Sequence, residues 1–366
     1  MHDWLTGFRG GEQVLLSLGR MFPEAPIYTL LHVKGSLPPE LESRTIRTSF
    51  IGKLPFARRL YRHYLPLFPF AVRGLDVRGF DLVVSSSHCV AKSVTPGPDA
   101  RHICYCHTPM RYVWDRFDDY FGPARTGKVG SSALRVMAEG LRAWDVATAH
   151  HVHEYIANSH TVAGRIRYFY GRDAEVIEPP VDTDFFTPGD HAPEPDYDLV
   201  VSALVPYKRI DLAIDAANLT GRRLLVVGNG PEEARLRARA GRSVEFLGPR
   251  NREGLLGLYR GCRALVLPGV EDFGIVVAEA LACGRPAVVN ARGGGAEIVN
   301  HGEFGQTFEE PTGEAVARAL GQLLPHRFSK LALRDRAAGF SRQKFEERFR
   351  RVVDAVRPGL KPAAIH

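Results

Sequence analysis

LPGVEDFGIVVAEALACGRPAVVNARGGGAEIV, residues 267–299, is the stretch on which the reading of the fold turns. An apolar strand, 264–267, ends at Pro268 and Gly269; an acidic loop follows, then a helix-like run over 274–283 and a second strand over 287–290. This is a strand–loop–helix–strand unit of the parallel α/β kind, with its loop at the carboxyl end of a strand, where such sheets bind ligands. Glu279 stands within IVVAEALAC, surroundings so apolar that both faces of the helix are expected to be buried. A carboxylate there is costly unless hydrogen-bond donors reach it. Either an Arg or backbone amides of the core supply them, or the hydroxyl groups of a ligand do.

The same alternation runs through the second half, with strands predicted at 199–203, 224–227, 244–247, 264–267 and 287–289 and helices at 210–219, 232–240, 253–261, 274–283 and 313–324. It predicts a parallel sheet covered by helices. In the first half, strands are expected at 27–31, 46–51, 81–86, 102–106, 155–157 and 175–177, with a helical region over 131–153. Residues 182–198 hold Pro188, Gly189, Pro193 and Pro195 among acidic residues and read as a domain linker. A charged helical tail covers 341–356.

With 366 residues the chain suits two domains of ordinary size. Its 45% hydrophobic and 24% charged residues are those of a soluble globular protein. The formal charge of +7 suits an anionic partner: a nucleotide, a phospholipid surface or nucleic acid. Five cysteines, mostly inside apolar runs, read as reduced residues of a cytosolic protein. No stretch approaches the ~18–20 apolar residues of a membrane span, and the N-terminus lacks a signal-peptide pattern.

Gly7, Arg9, Gly10 and Gly11 make a Gly-rich turn that opens a helix over 12–21, an arrangement suited to anions. No strand precedes the turn, so either the first strand of the N-terminal domain is missing from this sequence, the favoured expectation, or the turn is merely a flexible N-terminus. Residues 54–80 alternate Arg58, Arg59, Arg62, Arg73 and Arg78 with Leu, Tyr and Phe. That segment suits an anionic membrane surface, or else packs its apolar side inward and solvates its arginines. Pro66 and Pro69 exclude one continuous helix there.

His107 is expected at the carboxyl tip of a strand. Cys104, Cys106 and His107 lack a second ligand pair at metal-site spacing, so no metal site is read. Asp182, Thr183 and Asp184 read as a turn or cap. Lys208 and Arg209, in VPYKRID, place two cations at a helix start, against the dipole, which a bound diphosphate would explain. Gly228 and Gly230 form a partial dinucleotide fingerprint, and Gly293 to Gly295 make an amide-rich loop that suits phosphate or a plain turn.

Together these residues resemble glycosyltransferase family 4. Glu271 in EDFG, with Glu279 eight positions later, resembles its E-x7-E signature; Lys208, the GNGP at 228–231, Asn158-Ser159 and the PPVD at 179–182 fall in its order. His107 in CYCHTPMRYVWD and the opening HDWLTGFRGGE resemble its bacterial branch making cell-surface polysaccharides, often mannosyltransferases. The resemblance implies a GT-B fold of two Rossmann-like α/β domains facing across a cleft. Domains are expected at 1–185 (acceptor side) and 186–340 (nucleotide sugar), with a helix at 341–366 crossing back to the first.

The resemblance further implies retention of anomeric configuration without a bound metal or cofactor, and GDP-mannose as first donor. Glu279 would accept from the ribose. Glu271 and the backbone N–H groups of Phe273, Gly274 and Ile275 would hold the sugar. Lys208 and Arg209 would neutralise the diphosphate, with Gly228 nearby and Gly10 and Gly11 against the phosphates. His107 would contact the transferring sugar. The acceptor would be lipid-linked or polysaccharide, and the protein cytoplasmic and peripheral on the inner face of the plasma membrane, with no role for nucleic acid. Ala203 stands where the family commonly has Arg, five residues before Lys208. The rival readings are a GT-B-like sugar-nucleotide epimerase and an inactive nucleotide-binding assembly protein.

Overall fold

Short runs of β-branched and aromatic residues, cut by glycine and proline, become parallel strands in both halves of the chain. The computed structural model describes residues 1–118, 123–189, 196–324 and 327–357. The chain divides into two units, Met1–Pro179 with Phe345–His366, and Pro180–Lys344. The crossing points thus fall at 179/180 and 344/345, against the expected 185/186 and 340/341. Residues 190–195 of the expected linker lie outside the described residues.

In the first unit, β1 (Ile27–Thr29) pairs with β2 (Ile46–Thr48), and β3 (Leu82–Ser87), β4 (Arg101–Cys106), β5 (Glu154–Ala157) and β6 (Glu175–Val176) form a second run, all parallel. The two runs are joined by the chain's first residues. His2 makes parallel bridges to Thr29 on one side and to Ser86 on the other. Its N–H donates to Tyr28 O at 2.9 Å, and Ser86 N–H donates to Met1 O at 2.9 Å. Among the described residues no strand precedes the Gly-rich turn; a stub, Met1–Asp3, makes isolated bridges in the central position between the two runs. Asp3 fixes it there. Its buried carboxylate accepts the N–H groups of His88, Cys89, Val90 and Ala91 at 2.6, 3.0, 2.7 and 2.8 Å.

The helix Arg342–Val356 completes this unit. Phe345, Phe349, Val352 and Val353 pack with Val14, Ile103, Tyr105 and Ile156. Arg348 donates to Glu178 and to Val176 O, fastening the helix beside β6. The segment over 54–80 is broken into short helical turns, as its prolines require. Its apolar side packs inward, as the second reading had it. Ala57, Tyr61, Leu65 and Phe68 are buried, while Phe56 and Phe70 are 77% and 64% exposed.

In the second unit, β7 (Tyr197–Val201), β8 (Leu224–Val227), β9 (Val244–Gly248), β10 (Cys262–Leu267), β11 (Ala287–Asn290) and β12 (Gly305–Phe308) form one parallel sheet, ordered β12-β11-β10-β7-β8-β9. Alternate residues bury opposite faces: Leu199, Leu265 and Val289 on one, Val200, Val266 and Val288 on the other. That is why these strands read as continuous apolar runs. The order reverses between β7 and β10, the switch point at which doubly wound sheets open a crevice. Strand β12 and the helices His160–Tyr170 and Lys330–Ala338 were not expected from the sequence. Among the described residues, no helix is long and apolar enough to cross a membrane.

Candidate active site

The loops after β7 and β10 meet at the switch point and are held there by glycines. A Cβ on Gly228, whose φ is +128°, would lie 1.8 Å from Ser202 O, and one on Gly230 would lie 2.3 Å from Leu204 O. A Cβ on Gly269 would lie 2.8 Å from Tyr207 O, and one on Gly294 would lie 2.4 Å from Asp272 O. Four loops are therefore stacked backbone on backbone, and only glycine fits between them. Gly294 N–H donates to Glu271 O at 2.9 Å. The triple glycine thus serves as a buttress for the Glu271 loop, with that amide already engaged.

Lys208 and Glu271 lie on facing loops and form a half-buried, hydrogen-bonded ion pair. Lys208 Nζ also sits 5.5 Å from the centre of the Tyr207 ring. Arg209, at the left-handed φ of 51°, directs its guanidinium to Asp211, with Nη2 to Oδ2 at 3.1 Å. Asp211 in the first helical turn offsets the cations that the sequence placed against the dipole. Gly274, at φ +98°, is the N-cap of the helix Ile275–Ala282, and no side chain caps it. The first turn therefore presents backbone N–H groups beside Glu271. Phe273 is buried against Phe340 and fixes the path of that turn.

Glu279 is half-buried and accepts a hydrogen bond from Tyr259 Oη at 2.7 Å. The donor is neither an Arg nor a backbone amide, as the core reading had it, but a phenol on the helix Arg252–Gly261. Burial pushes the Glu279 carboxyl up to about 7, against the lowering effect of the Tyr259 hydrogen bond. Tyr259 occupies Oε2, which leaves Oε1 for another donor.

In the first unit, the helix Gly10–Met21 opens at the expected glycines, and a Cβ on Gly11 would lie 3.7 Å from His107 Nε2. His107 directly follows β4: its N–H donates to Ser87 O at 2.8 Å, and its C=O accepts from Asn158 Nδ2 at 3.0 Å. Its Nε2 lies 2.8 Å from Ser86 Oγ. Burial, with the charges of His88 and His2, lowers its pKa to about 3, so the ring is neutral at pH 7. Cys104 and Cys106 pack instead with Ala149, Tyr155 and Val162. Asp182 caps a turn, accepting from Phe185 N–H at 3.2 Å, and pairs with Arg252 at 2.5 Å.

Of the expected residues, the fold gathers Gly10, Gly11 and His107 in the first unit. Lys208, Arg209, Gly228, Glu271, Phe273, Gly274, Ile275 and Glu279 fall at the carboxyl ends of strands, or on the helix that follows, in the second. Tyr259, His2, Asp3 and Ser86 were missed. The HDW opening was visible, but nothing in its spacing announced what those side chains touch.

Residues 8–185 match the family model for Glycosyltransferase Family 4, and residues 183–341 that for Glycosyl transferases group 1. A D-inositol 3-phosphate glycosyltransferase of Mycobacteroides abscessus is 35% identical over 192 residues, 46% of this chain and 43% of that protein. The chain spans about half the length of the curated relatives it matches. Two solved structures share the fold: Anabaena Alr3699/HepE in complex with UDP (TM-score 0.73, 16% identity, 97% of this chain and 99% of that one) and sucrose-phosphate synthase from Thermosynechococcus elongatus (0.73, 18%, 97% and 98%). With two Rossmann-like units of the GT-B type and family models spanning both, the chain belongs to glycosyltransferase family 4.

Proposed function

We propose that the chain is a retaining glycosyltransferase that moves a hexose, mannose first, from a nucleotide sugar to a lipid-linked or polysaccharide acceptor. One observation carries this reading: Lys208 and Glu271 are paired at the switch point, beside the uncapped start of the helix Ile275–Ala282. A diphosphate arriving there draws Lys208 from Glu271, since two phosphate groups outweigh one carboxylate in charge. Glu271 is then released to accept sugar hydroxyls, while the N–H groups of Phe273, Gly274 and Ile275 hold the sugar. Lys208 stabilises the leaving diphosphate as charge develops, with no metal or other cofactor called on. Arg209 joins only by giving up Asp211, which makes it secondary. Glu279, oriented by Tyr259, takes the ribose hydroxyls. His107 acts on the transferring sugar.

GDP-mannose comes first through the branch resemblance. The UDP and UDP-glucose in the HepE structures put UDP-sugars beside it in any test. A donor panel with purified protein, read by mass spectrometry, identifies the sugar consumed. Glu271→Ala is expected to lower turnover by about 10²–10³, the scale of a lost transition-state contact. An unaltered rate in that variant would defeat the assignment. Interconversion of donor sugars without release of nucleoside diphosphate points to the epimerase reading, and donor binding without turnover to the inactive one. We place the protein on the cytoplasmic face of the plasma membrane, held by the surface of residues 54–80.

A further inference from the structure

Four side chains of the first unit form a line that ends on His107. Glu12 Oε2 accepts the Arg9 N–H at 2.9 Å, and Glu12 Oε1 faces His2 Nε2 at 3.8 Å. His2 Nδ1 lies 3.1 Å from Ser86 Oγ, and Ser86 Oγ lies 2.8 Å from His107 Nε2. His2 and Ser86 are fully buried. His2 Nε2 has no hydrogen-bond partner other than the direction of that carboxylate.

We infer that Glu12, His2 and Ser86 form a relay that sets the tautomer of His107, leaving its Nδ1 as a bare acceptor for a sugar hydroxyl. The protons can be placed one at a time. Glu12 is held below the usual carboxylate range: burial is the largest effect and pushes it up, but His2, a backbone N–H and His88 together outweigh it. An ionised carboxylate repels a ring lone pair and attracts an N–H, so His2 carries its proton on Nε2. With the ring's single proton on Nε2, Nδ1 is a lone pair and accepts the one proton of the Ser86 hydroxyl. That leaves the Ser86 oxygen to accept from His107 Nε2–H. A neutral His107 with its proton on Nε2 has a lone pair on Nδ1.

The glycine turn belongs to the same device. Gly11 lies over both rings, 3.7 Å from His107 Nε2 and from His2 Cε1 to its would-be Cβ. Asp3, pinned by four amides, holds the stub that carries His2 against Ser86. His2, Ser86 and Glu12 are thus positioning residues, acting through His107. The inference rests on the proposed role of His107 toward the sugar, but its test does not.

Long-range ¹H–¹⁵N correlation spectra of ¹⁵N-histidine-labelled protein, without substrate, report the protonated nitrogen of His107; His107→Asn assigns its signals. The expected result is the Nε2–H form. In Glu12→Gln the amide oxygen keeps the Arg9 N–H and the amide nitrogen turns to His2. It then donates to His2 Nε2, and every proton in the line reverses. His107 should switch to the Nδ1–H form. Ser86→Ala breaks the line, and His107 should populate both forms. Turnover should fall about tenfold, the worth of one hydrogen bond, with the KM for donor unchanged. The same His107 tautomer in wild type and Glu12→Gln, or an Nδ1–H form in wild type, would overturn the relay. A switched tautomer together with full activity in His107→Asn would keep the relay and remove the role of His107 instead.

Discussion

At the scale of the residue, the role proposed for Glu279 would join stability and ligand binding through one proton. Its folded pKa, about 7, lies above the ordinary 4.5 because burial disfavours the charged form. Between those values the folded state binds more protons than the unfolded chain. The empty unit therefore loses stability as pH rises through that window. Binding runs the other way, because an ionised carboxylate accepts ribose hydroxyls at Oε1 better than a protonated one. Titration calorimetry with GDP or UDP should show tighter binding at pH 8 than at pH 6, by about three- to tenfold for a group titrating between them. In Glu279→Gln that ratio should shrink to what the phosphate alone gives. Tyr259→Phe removes a hydrogen bond that lowers this pKa, so the midpoint should move up. A binding curve equally steep in wild type and Glu279→Gln would sever Glu279 from the nucleotide.

The anomaly of Glu279 was legible in the sequence, because a carboxylate within IVVAEALAC has few explanations. Its donor was not legible. Tyr259 lies on a different helix, in LLGLYRGC, where a tyrosine reads as ordinary core. Lys208 and Glu271 were both named from their motifs, yet their pairing across two loops follows only from the strand order. Ser86 carried no signal and His2 only its place in the HDW opening, since neither has a characteristic spacing to His107.

At the scale of the element, the glycines of the second unit separate packing from ligand binding. Gly294 stands against the backbone of the Glu271 loop, with 2.4 Å from a would-be Cβ to Asp272 O. Backbone cannot swing aside as a side chain can. Gly294→Ala should therefore lower the stability of this unit by about 1–3 kcal/mol, the usual cost of overpacking, and displace Glu271 as well. Gly257, inside the helix Arg252–Gly261, has nothing within 4 Å of its would-be Cβ. Gly257→Ala should stabilise by about 0.5–1 kcal/mol through helix propensity. Urea unfolding followed at both sites checks the pair, and equal effects would mean that the loops are not stacked as described. Two of the elements that escaped the sequence reading did so for separate physical reasons. Strand β12 is four residues long and starts at Gly305, which Ala287 O approaches too closely for any side chain. The opening stub holds buried polar residues, His2 and Asp3, whose partners are distant in sequence.

At the scale of the whole molecule, the charge of +7 is not spread evenly. Residues 53–73 expose Lys53, Arg58, Arg59, Arg62 and Arg73, interleaved with exposed Phe56, Leu60, Leu67 and Phe70. The inner side of the segment is anchored by Tyr61, Leu65 and Phe68 in the core, so the exposed rings are not strays from a loose segment. Phe56 is held at a left-handed φ of 51°, a conformation that places strain at the most exposed aromatic of the patch. Rings that enter the headgroup region and cations that meet anionic lipid are the two signals stable surface attachment needs. At about 1 kcal/mol per basic residue near such a surface, the arginines would supply several kcal/mol at low salt and far less once screened. Flotation with vesicles containing phosphatidylserine should carry the protein upward at low ionic strength and release it at about 0.5 M salt, where the Debye length is a few ångströms. Phe56→Ser with Phe70→Ser should weaken flotation at low salt while leaving its salt sensitivity, because the rings act through apolar burial and the arginines through charge. Protein that stays at the bottom of the gradient at low salt would leave this surface without a membrane role, and the acceptor would then have to be sought among soluble saccharides.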